Sequence, residues 1–360
     1  MRCARYETVM KPRALLAGTA AAAFCTFSFI ALLVAVRAQT SAPTLQHPPG
    51  AYASVNGIKL WYETEGRGEP LVLVSGGPGD PHSVFHLFFS RLADRQQVIY
   101  FDEFGVGKSE RAKSSREYSF VRDVENLEGL RKALGLAKMN LLGQSYGGMV
   151  AQAYALKYPQ SVERLILVDS FYSGQMWQAN DDNSNREIQA QFPEAWAKLQ
   201  KLRATGLRSS APEHQEVYDS IPLGLFYFYN ASKAALLPSD PSNNDVYYAI
   251  AGDDADFTIG GDIAGLDFRA DLGRLTMPIL IVAGRYDRIS LPQYAVKYKT
   301  YAPHSRFVMM EKSGHFPYIE EPEKMLSVMR DFLGQPVHDG QAGRSRLSGA
   351  SRPQLPKVQP

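Results

Sequence analysis

Along the chain, short apolar runs alternate with stretches of helical spacing. Residues 71–74, 98–101, 139–142, 165–168, 279–282 and 307–310 are apolar at nearly every position. Such runs suit parallel strands covered by helices on both faces, because a strand with one solvated face would alternate. Residues 51–55 and 60–63 flank Asn56-Gly57 and predict an opening antiparallel hairpin, turned where two residues can take positive φ. Helices are predicted over 121–133, 146–157 and 321–332, the last with Pro322 in its first turn. This strand–helix succession predicts an α/β fold with a mostly parallel, doubly wound sheet. Residues 171–271 break the pattern. They are richer in Asn, Ser, Asp and aromatics, with helical pieces such as 193–204. We expect a mainly helical lid here, inserted after the sixth strand and lying over the C-terminal strand edge, where ligands bind in such sheets. The core is then 48–170 and 272–334.

The two ends differ from this middle. Residues 14–36 carry no charge and follow Lys11 and Arg13, and Val36-Arg37-Ala38 closes the run. That is the layout of a signal peptide over 1–38, cleaved after Ala38, and it predicts export to a periplasm or beyond. A start at Met10 would give a better-proportioned leader. The competing reading is an uncleaved membrane anchor over 14–36, the only route to a membrane partner. Residues 335–360 mix Gly, Ser, Arg, Pro and Gln, and a disordered tail is expected.

The formal net charge is +2. The leader and the tail are both basic, so the folded part is mildly acidic. No nucleic-acid partner is expected, since that requires a basic face on the domain itself. Cys3 and Cys25 are the only cysteines, and both lie in the leader. Disulfides, thiolate metal sites and a cysteine nucleophile are therefore excluded from the folded part.

Gly143-Gln144-Ser145-Tyr146-Gly147 follows a predicted strand and opens a predicted helix, as a nucleophile elbow does. A serine hydroxyl needs a base, and the base needs an orienting acid. His315 lies just past the strand 307–310 and Asp287 just past 279–282, so both fall on loops at the same sheet edge as Ser145. The order Ser, Asp, His is the one an α/β-hydrolase fold uses. Asp169, at the end of 165–168, is the rival acid. The developing oxyanion needs two backbone N–H donors. Tyr146 supplies one and Gly77 the other, with Gly76 as the alternative. No spacing of histidines and carboxylates suggests a metal, and no cofactor is expected.

These segments resemble the proline iminopeptidases. Gly76-Gly77-Pro78-Gly79 is similar to that family's oxyanion loop, Asp102 to Ser109 to its Asp-Gln-x-Gly-x-Gly-x-Ser segment, and Gly143 to Gly148 to its elbow. The resemblance spans roughly residues 50–334. It implies an aminopeptidase releasing N-terminal proline, or another residue, from short peptides, with lid carboxylates gripping the substrate ammonium. Asp256 falls where one such glutamate is expected, although a solvated loop acid would read the same way. Phe226, Tyr227 and Tyr229 resemble an aromatic lid helix and are candidate walls for a proline ring. Two departures bear on proline specificity. Ser75 stands where the family has histidine, and the glutamate expected before the lid's Phe-Tyr is missing. An esterase or lactonase on the same triad is the alternative, and a non-catalytic receptor on this fold the third reading.

Overall fold

The computed structural model describes residues 47–222 and 224–335. The expected leader and all of the expected tail but Gln335 lie outside the described residues. Among the described residues no helix is long and apolar enough to cross a membrane.

Asn56 and Gly57 take φ of 50° and 84°, the conformation that lets a two-residue turn match the twist of its strands. They join β1 (Gly50–Val55) to β2 (Ile58–Glu65), with Val55 opposite Ile58. The remaining strands are β3 (Glu69–Val74), β4 (Gln96–Phe101), β5 (Met139–Gln144), β6 (Val162–Val168), β7 (Ile279–Gly284) and β8 (Arg306–Met310). All belong to one eight-stranded sheet in the order β1-β2-β4-β3-β5-β6-β7-β8. β1 with β2 and β2 with β4 are antiparallel, and every other pair is parallel.

The apolar runs are explained by burial on both faces. Val72, Val74, Ile99, Phe101 and Leu141 point into one core, while Leu71, Leu73, Val98, Tyr100 and Leu142 point into the other. Successive residues of one strand thus serve opposite layers, as a period of two requires. Helices α1 (His86–Phe89), α2 (Phe120–Ala133) and α3 (Tyr146–Lys157) follow β3, β4 and β5. After β8 come α11 (Pro317–Glu320) and α12 (Pro322–Gly334), with α9 (Pro292–Ala295) and α10 (Tyr298–Tyr301) between β7 and β8. α12 has Pro322 in its first turn and buries Met325, Leu326, Met329, Phe332 and Leu333, a single stripe at helical spacing.

Between β6 and β7 lie α4 (Gly174–Gln191), α5 (Pro193–Ala204), α6 (Pro212–Asp219), α7 (Gly224–Tyr227) and α8 (Asn244–Ala251). Ile188, Leu199, Ile221 and Phe226 form a small core of their own here. The strand order reverses at β3, which has β4 on one side and β5 on the other. The loops leaving β3 and β5 therefore diverge in direction and leave a crevice between them, the usual binding place in such sheets.

Candidate active site

Ser145 stands between β5 and α3, at the N-cap of α3, with φ 53° and ψ −122°. A side chain with a Cβ reaches this conformation only at a cost, typically about 1–3 kcal/mol, and only when its surroundings impose it. They do so through three backbone contacts. The Ser145 N–H donates to the Val168 carbonyl at 2.9 Å, its carbonyl accepts from Gly148 N–H at 3.0 Å, and the Ser170 hydroxyl donates to the same carbonyl at 2.8 Å. Gly147 must be glycine, since a Cβ there would lie 2.3 Å from the carbonyl oxygens of both Val74 and Ser75. The elbow is thereby pressed against the loop leaving β3. Gly77 in that loop has φ 97°, and a Cβ on Gly76 would approach the Ser145 Cβ to 3.2 Å. Ser75, the departure from the family's histidine, donates its hydroxyl to the Asp80 carbonyl at 2.8 Å and closes the loop on itself.

His315 and Asp287 meet as expected, with His315 Nδ1 2.8 Å from Asp287 Oδ2. The other Asp287 oxygen accepts from the N–H groups of Ile289 and Ser290 at 2.7 and 2.9 Å. These bonds fix the carboxylate, which in turn fixes the ring. The His315 N–H donates to the Tyr227 carbonyl at 2.7 Å, and the Tyr227 ring meets the imidazole edge-on at 5.6 Å, so α7 is docked on the histidine. Asp169, the rival acid, has φ 45° and accepts from Gly284 N–H at 2.7 Å. Burial, and then the neighbouring Asp287 charge, push its carboxyl well above the usual range. It is buttressed behind Asp287 and makes no bond to His315.

Ser145 and His315 line one cavity of about 330 Å³, together with Gly77, Phe226, Tyr227 and Asp256. The structure thus brings most of the expected site residues together. Tyr146 lies at the start of α3 with its side chain fully buried, the hydroxyl donating to Asp123 at 2.6 Å, so only its backbone faces the site chemistry. Tyr229 is the exception. It is 50% exposed and packs on Tyr286 with ring centroids 4.6 Å apart. α7 ends at Tyr227, and Glu320 accepts from the N–H of Tyr229, which turns the ring outward. It is not a cavity wall.

Asp256 accepts from the Tyr248 hydroxyl at 2.9 Å, and burial raises its carboxyl to about 7. The sequence reading missed two further acids. Asp181 on α4 lines the same cavity, is pushed well above the carboxylate range by burial and then by Asp256, and leaves Oδ2 without a hydrogen-bond partner among the described residues. Asp80, also in the lining, is raised by burial. Asp181 carried no signal because it stands in the polar run Asn180-Asp181-Asp182-Asn183, whose facing a sequence does not fix.

A second cluster of titratable groups was not expected either. His47, Glu63, His82 and His86 bring one nitrogen or oxygen each to within 4.8 Å of one another, so the expectation that histidines and carboxylates do not group does not hold. The available signal was His82 and His86, four residues apart at a turn that becomes α1. His47 and Glu63 join them only through the β1–β2 edge.

Comparison with known proteins bears on the fold and the family. Residues 69–322 match the α/β-hydrolase fold family. Proline iminopeptidase of Heyndrickxia coagulans is 31% identical over 278 residues, which are 76% of this chain and 93% of that protein. Proline iminopeptidase of Saccharolobus solfataricus is 30% identical over 298 residues, 79% and 92% of the two chains. The crystal structure of the Mycobacterium smegmatis proline iminopeptidase superposes with a TM-score of 0.64 over 80% of this chain and 98% of that one, at 22% identity, and bears on the fold. The chain is a member of the α/β-hydrolase family, related to the proline iminopeptidases.

Proposed function

We propose that this protein is an aminopeptidase that releases an N-terminal residue, proline among them, from short peptides through an acyl-enzyme at Ser145. His315 takes the Ser145 proton as the hydroxyl oxygen bonds to the substrate carbonyl carbon. Asp287 holds the ring in the competent tautomer and offsets the imidazolium charge. The N–H groups of Tyr146 and Gly77 receive the oxyanion. Collapse breaks the C–N bond, and His315 returns its proton to the departing amine. Water, deprotonated by the same ring, then releases the acyl group as a free amino acid and restores Ser145.

The observation that carries the exopeptidase reading is the pair Asp181 and Asp256 in the Ser145 cavity. Burial raises both carboxyls above their usual range, and no cation stands against either among the described residues of the cavity lining. A substrate ammonium would supply the missing charge, and a charge-assisted bond in such a site is stronger than at a surface. Phe226 and Tyr227 offer an apolar wall for a proline ring. The test compares prolyl and other aminoacyl amides, bearing free and acetylated α-amines, with simple acyl esters. Free-amine amides should be hydrolysed and their acetylated forms should not. Preference for the acetylated amides or for the esters would overturn the aminopeptidase reading while leaving a serine hydrolase.

A further inference from the structure

His82 and His86 are nearly fully buried, as is Glu63. Buried imidazoles need partners for both ring nitrogens, yet Nε2 of His82 and both nitrogens of His86 make no hydrogen bond among the described residues. They are nevertheless drawn to one point. His86 Nε2 lies 3.0 Å and His82 Nε2 3.3 Å from the same Glu63 oxygen, and His47 Nδ1 lies 2.9 Å from it. Three nitrogens grouped around one carboxylate oxygen approach the edge lengths of a small tetrahedron. Bonds of about 2.0–2.1 Å to a tetrahedral ion would set every edge near 3.3–3.4 Å, so the three nitrogen–oxygen edges need only a few tenths of an ångström, while the nitrogens, which with that oxygen lie within 4.8 Å of one another, draw together around the ion.

The surrounding groups are arranged as ligand supports. His82 directs its other nitrogen, Nδ1, to Asp102 at 2.6 Å, which fixes the tautomer that leaves Nε2 free as a donor of its lone pair. Asp102 is itself held by Lys108 N–H at 2.8 Å and by His82 N–H at 3.2 Å. The other Glu63 oxygen is held by the Trp61 indole N–H at 2.9 Å and lies 3.3 Å from the Lys108 ammonium. The His86 ring stacks on Tyr100 at 3.9 Å between centroids, so its orientation is set. Glu63 and Asp102 are buried carboxylates, and a divalent cation would balance both.

We propose that His47, Glu63, His82 and His86 bind one zinc ion in a closed, four-ligand structural site. Three imidazoles and a carboxylate suit zinc, and four protein ligands leave no open position for catalysis. None of the four lines the Ser145 cavity. The ion joins three separate pieces of chain: the segment before β1, strand β2, and the turn that follows the oxyanion loop. It therefore anchors that loop from behind.

The test uses the full chain without an affinity tag, purified with zinc and dialysed. Elemental analysis should give about one zinc per chain. Chelation should lower the unfolding temperature and added zinc restore it, and cobalt in place of zinc should give the visible absorption of a tetrahedral site. His47 is the variant of choice, since its side chain is 33% exposed and its removal opens no core. His47→Ala should still fold and should bind zinc at least tenfold more weakly, because even losing a group that only supports a ligand costs that much. Absence of zinc above background with an unfolding temperature indifferent to zinc and chelator would overturn the proposal, leaving a buried ion-pair network. So would undiminished zinc binding by His47→Ala.

Discussion

Asp287 and Asp169 are both buried at the C-terminal ends of neighbouring strands, and they differ in what each does with its charge. Asp287 accepts two backbone N–H bonds on one oxygen and faces His315 with the other. Asp169 lies beside it, pushed upward by burial and then by that neighbouring charge, and spends one oxygen on the Gly284 N–H. An amide at 169 keeps the oxygen that accepts from Gly284 and disturbs no bond to His315. Asp169→Asn should therefore leave turnover within a few-fold of the parent. Asp287→Asn should lower kcat on the order of 10⁴-fold, the loss expected when the amide holds the imidazole in the wrong tautomer. Steady-state kinetics of the two variants on one substrate checks this, and the reverse ranking would remove Asp287 from the proposed triad. The triad was legible in the sequence because each member follows its own apolar run, and runs of that kind can be placed without knowing the packing. Asp181 and the His47 cluster were not legible for the converse reason. Their neighbours come from distant stretches, and only the docking of α4 and the β1–β2 edge brings them together.

The helices between β6 and β7 bring acids to the cavity, and this has consequences for pH. Asp256, just past α8, titrates near 7 because burial outweighs the Tyr248 hydroxyl bond. A substrate ammonium binds its ionised form, so selectivity for free-amine amides over esters should rise with pH through about 7. It should fall again above about 8, where the substrate's own α-amine loses its proton. The ratio of kcat/KM for the two substrate types cancels the titration of His315, which both require. Asp256→Asn should flatten the rising limb and raise KM for free-amine substrates roughly tenfold or more, the scale of a hydrogen bond to a charged group. The same raised carboxyl acts on stability. In the unfolded chain it titrates near 3.9, so between about 4 and 7 the folded state holds the extra proton. Stability is then greatest at low pH and falls as pH rises through about 7. Asp256→Asn removes that loss. Its unfolding temperature should exceed the parent's at pH 8 and match it near pH 4. A gain at both pH values would mean that the effect is not ionisation. On the proposed function, this acid trades stability for binding, as is common at functional sites.

At the scale of the whole molecule, the folded part is mildly acidic and free of cysteine, while residues 1–38 are basic and hold both cysteines. His47, ahead of β1, is tied to Glu63 at 2.9 Å. We propose that residues 1–38 direct export and are removed after Ala38. Eight residues, 39–46, would then remain ahead of His47. Cleavage at that point spares every group of the His47 cluster and every residue of the cavity, so the processed chain should match, in unfolding temperature and activity, one produced from Gln39 directly. Intact-mass measurement of the exported protein should give a chain beginning at Gln39. Where the N-terminal glutamine has cyclised the mass is lower by one ammonia and stepwise sequencing is blocked, which makes mass the better readout. A membrane-bound protein retaining residues 1–38 would replace this reading with an anchor over 14–36. In that event the Ser145 chemistry would stand unchanged, because the described residues that line the cavity begin at Gly77.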